Sequence, residues 1–172
     1  MRIAPILRAA TLILACAAPL RAELSVPIAT RVLTFLLPAP RGPTQVAIVV
    51  APDNAASLAD AVAIERAVGG GVAVGGALVR TRRVPVTALE GLRGYRAAFV
   101  TAGLRGAHDD IAAAARRHAV VTITSDPACV QAARCVVGIT SGTRVQITVN
   151  RVAARAVHAR FGSAFLMLVK EI

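Results

Sequence analysis

"VVTITSDPACVQAARCVVGITSGTRVQITVN", residues Val120 to Asn150, decides the fold. "VVTITS" is a short β-branched apolar run and reads as a buried strand. "DPACVQAAR" follows as a short helix, with Pro127 at its first position and Ser125 or Asp126 as its cap. "CVVGITSGTRVQITVN" then reads as two strands about a turn at Ser141-Gly142. A buried strand, a helix and a hairpin in succession describe a parallel sheet that ends in an antiparallel edge.

The segments upstream repeat the strand–helix alternation. "VPIATRVLTFLLPAPRG" suggests a helix through Leu37, stopped by Pro38 and Pro40. "QVAIVVAP" is a buried strand bounded by prolines. "DNAASLADAVAIERAV" is a helix with cap candidates Asp53, Asn54 and Ser57, an inner face of Leu58, Ala61, Val62 and Val68, and an end at Gly69 to Gly71. "ALVRTRRVPV" reads as a strand that Pro85 places near an edge or ends. "AAFVTAG" is another buried strand. "AHDDIAAAARRHA" is a helix with acids at its start and bases at its end, as the macrodipole favours. After the hairpin, "RVAARAVHARF" and "SAFLMLV" read as closing helices capped by Asn150 and Ser163. The expected fold is α/β: one three-layer domain with a mainly parallel sheet, an antiparallel C-terminal hairpin and flanking helices.

The 172 residues suffice for one domain with a real core. They are 56% apolar, yet no uninterrupted apolar run reaches the roughly 18 residues a bilayer-spanning helix needs. Residues 1–22 read as an export signal: Arg2 and Arg8, then the apolar "AATLILACAA", with cleavage after Ala22 or at the A-x-A around Cys16. Residues 23–172 then form the domain. A lipoprotein acylated at Cys16 is the alternative, and Leu14 fits that pattern poorly. Removing Arg2, Arg8 and Arg21 from the 20 Lys and Arg leaves 17 bases against 9 acids, a net charge of +8. It also leaves two of the three cysteines, an even number in an oxidising compartment.

On one continuous helix, residues six apart are separated by about 9 Å, while a disulfide needs Cα atoms within about 7 Å. A Cys129–Cys135 bond therefore requires the helix to end between them, which "CVVGI" permits. Two buried free thiols are the alternative. A metal site lacks further Cys or His ligands nearby.

No active site stands out. "GGGVAVGG" (Gly69 to Gly76) follows a helix and lacks the Lys-Ser/Thr of a phosphate loop, so it reads as a helix-to-strand connection. "GITSG" has the outline of a nucleophile elbow around Thr140, but a strand follows where a helix is required. His108, Asp109 and Asp110 read as a solvated helix start rather than metal ligands, and His118 and His158 as surface residues. No cofactor is implied. Arg80, Arg82 and Arg83 offer a basic surface for an acidic partner or an anionic membrane, or else keep an edge strand from pairing. Nucleic acid is a poor fit for an exported chain with 3% aromatics. The strand-to-helix loops carrying Asn54, Thr101, Ser125 and Asp126 lie where α/β folds place ligands, so a solute-binding module is a second reading.

Taken together, "TRVLTFLLPAP", "VVTITSD", "PACVQAARC", "VVGITSGTRVQITVN", "RVAARAVHARF" and "SAFLMLV" resemble, in order and spacing, the YfiR-like family of bacterial periplasmic proteins. The resemblance covers most of Val26 to Val169. It implies an α/β domain without known catalysis that acts from the periplasm as a repressor. In the best-studied member, the partner is the periplasmic sensor domain of an inner-membrane diguanylate cyclase, so that cyclic-di-GMP production stays low until reduction or stress releases it. That member has two disulfides; Cys129 and Cys135 match the C-terminal one, and the other has no counterpart here. The family's Trp before the first strand is also absent. The expected protein is a regulator, and a homodimer is compatible with it.

Overall fold

A computed structural model describes residues 24–142 and 144–172. The proposed export signal and Cys16 lie outside the described residues. The elements run α1 (Val26–Leu33), β1 (Gly42–Val50), α2 (Ala55–Val68), β2 (Val72–Val74), β3 (Ala77–Pro85), a 3₁₀ stretch (Val86–Leu92), β4 (Ala97–Val100), a 3₁₀ turn (Arg105–Ala107), α3 (His108–His118), β5 (Val121–Thr124), α4 (Pro127–Gln131), β6 (Val137–Ser141), β7 (Val145–Val149), α5 (Arg151–Ala156), α6 (Ser163–Leu166) and β8 (Lys170–Glu171).

The eight strands form one sheet in the order β2-β3-β1-β4-β5-β6-β7-β8. The central strands β3, β1, β4, β5 and β6 are parallel. The β6–β7 hairpin is antiparallel, as expected. The chain leaves β1 in one direction, through α2 to β3, and then crosses over β1 to reach β4. Right-handed crossovers therefore put α2 on one face and α3 and α4 on the other. This makes the junction of β1 and β4 the point where strand order reverses. Strands β4 and β5 are buried on both faces, with Phe99 and Ile123 fully enclosed. That is why they read as continuous apolar runs.

Several boundaries differ from the sequence reading. The first helix ends at Leu33 rather than Leu37, because Leu36 leaves it to bridge Phe161 and the Leu37 N–H donates to the Arg160 carbonyl. The inner stripe of α2 is Ser57, Asp60, Ala61, Ile64 and Val68, while Val62 is 42% exposed. Two of the inward residues are polar, so apolar spacing alone misplaces the face. The glycine-rich connection contains a strand, β2, paired antiparallel with Ala77–Val79. The last helix is capped by Gly162 rather than Ser163, and the chain closes on β8. His108 is buried rather than solvated, and the His118 side chain is only 8% exposed, against Glu90 Oε2 at 3.1 Å.

Candidate functional site

The C-terminal ends of β1 and β4 meet at the reversal of strand order, where open α/β sheets hold their ligands. Here side chains from one loop reach into the other. Asn54 caps α2 by accepting the Ser57 N–H at 3.0 Å, and its Nδ2 donates to the Gly103 carbonyl at 3.3 Å. Thr101 Oγ1 donates to the Val49 carbonyl at 2.8 Å. A hydroxyl has one proton, so the 2.6 Å contact between Ser57 and Thr101 is donated by Ser57, whose oxygen also accepts the Ala51 N–H. The Ala102 N–H donates to Asp60 Oδ2 at 2.8 Å. Gly103 has φ +79°, and a Cβ there would lie 2.8 Å from Asn54 Oδ1. The two loops are thus drawn together by their own polar groups. Asn54→Ala is expected to lower stability by about 1 kcal/mol through the lost cap and to speed amide exchange in the Ala102–Gly103 loop. An unchanged melting temperature would show that this lock has no energetic weight.

The other expected ligand loop behaves similarly. Asp126 caps α4 through the Ala128 N–H at 2.9 Å and accepts Arg105 Nε at 2.9 Å. Ser125 is buried. Burial works to raise the Asp126 pKa, but the Arg105 hydrogen bond, the Ala128 N–H and the charges of Arg105 and His108 outweigh it. The carboxyl is held below its ordinary value. Behind it sits His108, whose pKa is lowered by burial first and by Arg134 and Arg105, against Asp126 and Asp109. An unfolded chain then binds a proton at this residue before the folded one does. Stability from His108 is complete above the unfolded value of about 6.5 and is lost as pH falls through it towards the lowered folded value. His108→Gln is expected to flatten that part of a pH series of urea midpoints. Equal slopes in parent and variant would remove His108 from the account.

Cys129 and Cys135 form a disulfide with Cα atoms 5.2 Å apart, and both residues are fully buried. The geometry follows from the end of α4 at Gln131: Ala133 turns with φ +55°, and the N–H groups of Arg134 and Cys135 both donate to the Cys129 carbonyl. Arg134 pairs with Asp109 at 2.6 Å, which joins this loop to the start of α3.

The three arginines of β3 are exposed. Arg83 makes a two-bonded contact with Glu65 of α2, at 2.7 and 2.6 Å, and that hydrogen bond lowers the Glu65 pKa. Arg80 and Arg82 have no hydrogen bond or ion pair among the described residues. His158 is exposed, and Asp110 likewise. Among the described residues, no three His, Cys, Asp or Glu side chains gather as a metal site, and no helix is long and apolar enough to cross a membrane. Several cavities among the described residues lie away from the loops. One, of about 380 Å³, is lined by α1, β2, Ile147 and Phe165. Another, of about 400 Å³, lies beside Tyr95, Arg96 and His118. The stack of Phe35 on Phe165, with centroids 4.7 Å apart, borders the first; nothing in the local sequence signals that pairing.

A family model described as YfiR/HmsC-like matches residues 37–170. The chain belongs to this family. The YfiR/HmsC-like match runs from the segment before β1 to β8, so it contains the sheet, the disulfide loop and the hairpin together. Among solved structures, a conserved domain protein from Vibrio cholerae O1 biovar El Tor has 9% identity and a TM-score of 0.62, covering 85% of this chain and 58% of that one. The ABC domain in complex with L-Trp from Streptococcus pneumonia has 9% identity and a TM-score of 0.58, with the same coverages of 85% and 58%. At that identity both likenesses concern the α/β fold alone, and the chain spans just over half the length of each. No curated protein sequence matches it.

Proposed function

We propose that this YfiR/HmsC-like protein is an exported, non-enzymatic regulator. It binds the periplasmic sensor domain of an inner-membrane signalling protein of the diguanylate cyclase type and thereby limits cyclic-di-GMP production. The observation that carries the reading is the family match over residues 37–170. The closed loops at the reversal of strand order support it: their polar atoms bind one another rather than stand open to a ligand. The second reading, a solute-binding module, rests on the position of those loops at the C-terminal edge. It requires Asn54, Thr101 and Asp126 to exchange internal partners for a ligand.

The test is cross-linking in intact cells, capture of the protein and mass spectrometry of what accompanies it. Recovery of one inner-membrane protein with a periplasmic sensor domain and a cytoplasmic cyclase domain is the expected result. Capture of the abundant protein with nothing attached would count against the regulator. A thermal-shift screen of small metabolites would then decide the second reading, because a native-state ligand raises the melting temperature.

A further inference from the structure

The edge of the sheet at β3 is only half covered. Strand β2 pairs with Ala77, Leu78 and Val79, whereas β3 continues to Pro85. Among the described residues no strand lies beside Arg80–Val84 on the side away from β1. The phase of the ladder shows which groups face outward. The Gly42 N–H donates to the Gly76 carbonyl, and Gly42 is registered with Ala77. In a parallel pair this directs the backbone groups of even-numbered β3 residues to β1 and those of odd-numbered residues outward. Ala77 and Val79 spend theirs on β2. Thr81 and Arg83 then present unpaired N–H and C=O groups at the edge, and Pro85, without an N–H, ends it.

Side chains alternate with the same period. Thr81 and Arg83 share the face of α2, where Arg83 is bound to Glu65. Arg80 and Arg82 project from the opposite face, exposed and without partners among the described residues. Two unpaired cations thus stand about 7 Å apart along a strand whose neighbouring backbone groups are open. A second copy of the chain at this edge would set arginine against arginine, which like-charge repulsion opposes.

From this juxtaposition we infer that Arg80–Val84 receives an extended acidic segment of a partner protein as an added strand. The segment carries carboxylates at alternate positions beside Arg80 and Arg82. The inference rests on the regulator reading and specifies how the partner is held. It is also consistent with the arginines keeping the edge from pairing with its own kind.

The probe is an acetylated, amidated hexapeptide, Val-Asp-Val-Asp-Val-Asp, titrated into the isotope-labelled, disulfide-intact chain and followed by amide NMR. Shifts confined to Arg80–Val84 are expected, with Thr81 and Arg83 largest. R80S/R82S is expected to raise Kd by about tenfold, and a peptide with Lys for Asp should not bind. Thr81→Pro removes one outward N–H without touching the β1 ladder and should abolish binding. Should that variant fail to fold, R80S/R82S still decides the question. Absence of shifts at the edge, or equal affinity for the double variant, would overturn the inference. Capture from cells separates it from the reading beneath it. No partner on the parent chain counts against the regulator; the same partner on both parent and R80S/R82S counts against the edge alone.

Discussion

Replacing both cysteines, as Cys129→Ser/Cys135→Ser, is expected to lower the unfolding free energy by about 2 kcal/mol. The loop it closes is short, and a short loop gives a modest gain in the chain-entropy description. With a typical slope for a domain of this size, the urea midpoint should fall by about 1 M. The slope itself should hold, since most of the sheet is untouched by the loop. Both cysteines are fully buried, so a reductant reaches the bond only when the α4 end opens. Reduction of the native chain should therefore be slow, and sped by low concentrations of urea that favour local opening. The loop carries Arg134, which holds Asp109 at the start of α3. Its loosening should appear first in amide exchange at α4 and around His108. If the double variant unfolds at the parent midpoint, the bond has no structural role.

What could be read in the sequence was whatever depends on neighbours. The buried strands β1, β4 and β5 are dense apolar runs, and Pro127 after Asp126 marks a helix start by local chemistry. The cysteine spacing allowed a bond only if the helix stopped between them, and α4 does stop at Gln131. What could not be read depends on distant partners. Asn54 finds Gly103 forty-nine residues away, and Thr101 lies across the same gap from Ser57. No local pattern distinguishes a serine that faces water from one that seals a loop, so apolar spacing does not place Ser57 and Asp60 on the inner face of α2. Strand β2 is three residues between a run of three glycines and a pair, and β8 is two. Elements that short exist because a neighbouring strand offers them a ladder, and propensity carries little of that information.

Asn150→Ala is expected to cost about 2 kcal/mol, as much as the loss of the disulfide. Asn150 is 5% exposed and serves three elements. Its backbone N–H donates to the Val136 carbonyl at 2.9 Å, continuing the hairpin. Its Oδ1 accepts the Ala153 N–H at 2.9 Å and caps α5. Its Nδ2 donates to the Val130 carbonyl in α4 at 2.8 Å. Alanine keeps the backbone bonds and loses both side-chain ones. The lost cap is worth about 1 kcal/mol, and the lost hydrogen bond to Val130, whose carbonyl keeps the Ala133 N–H at 3.1 Å, adds about 1 kcal/mol. Asn150→Ser separates the two, because serine caps well but is too short to reach Val130; it should recover the cap and leave the rest. The residue and the disulfide hold the same helix, so their effects should not be additive: in the reduced chain α4 is already loose, and Asn150→Ala should cost less there than in the oxidised one. Equal costs in both forms would show that the bond and the asparagine act on separate parts of the domain. A smaller cost after reduction would show that the bond and the asparagine act together through α4.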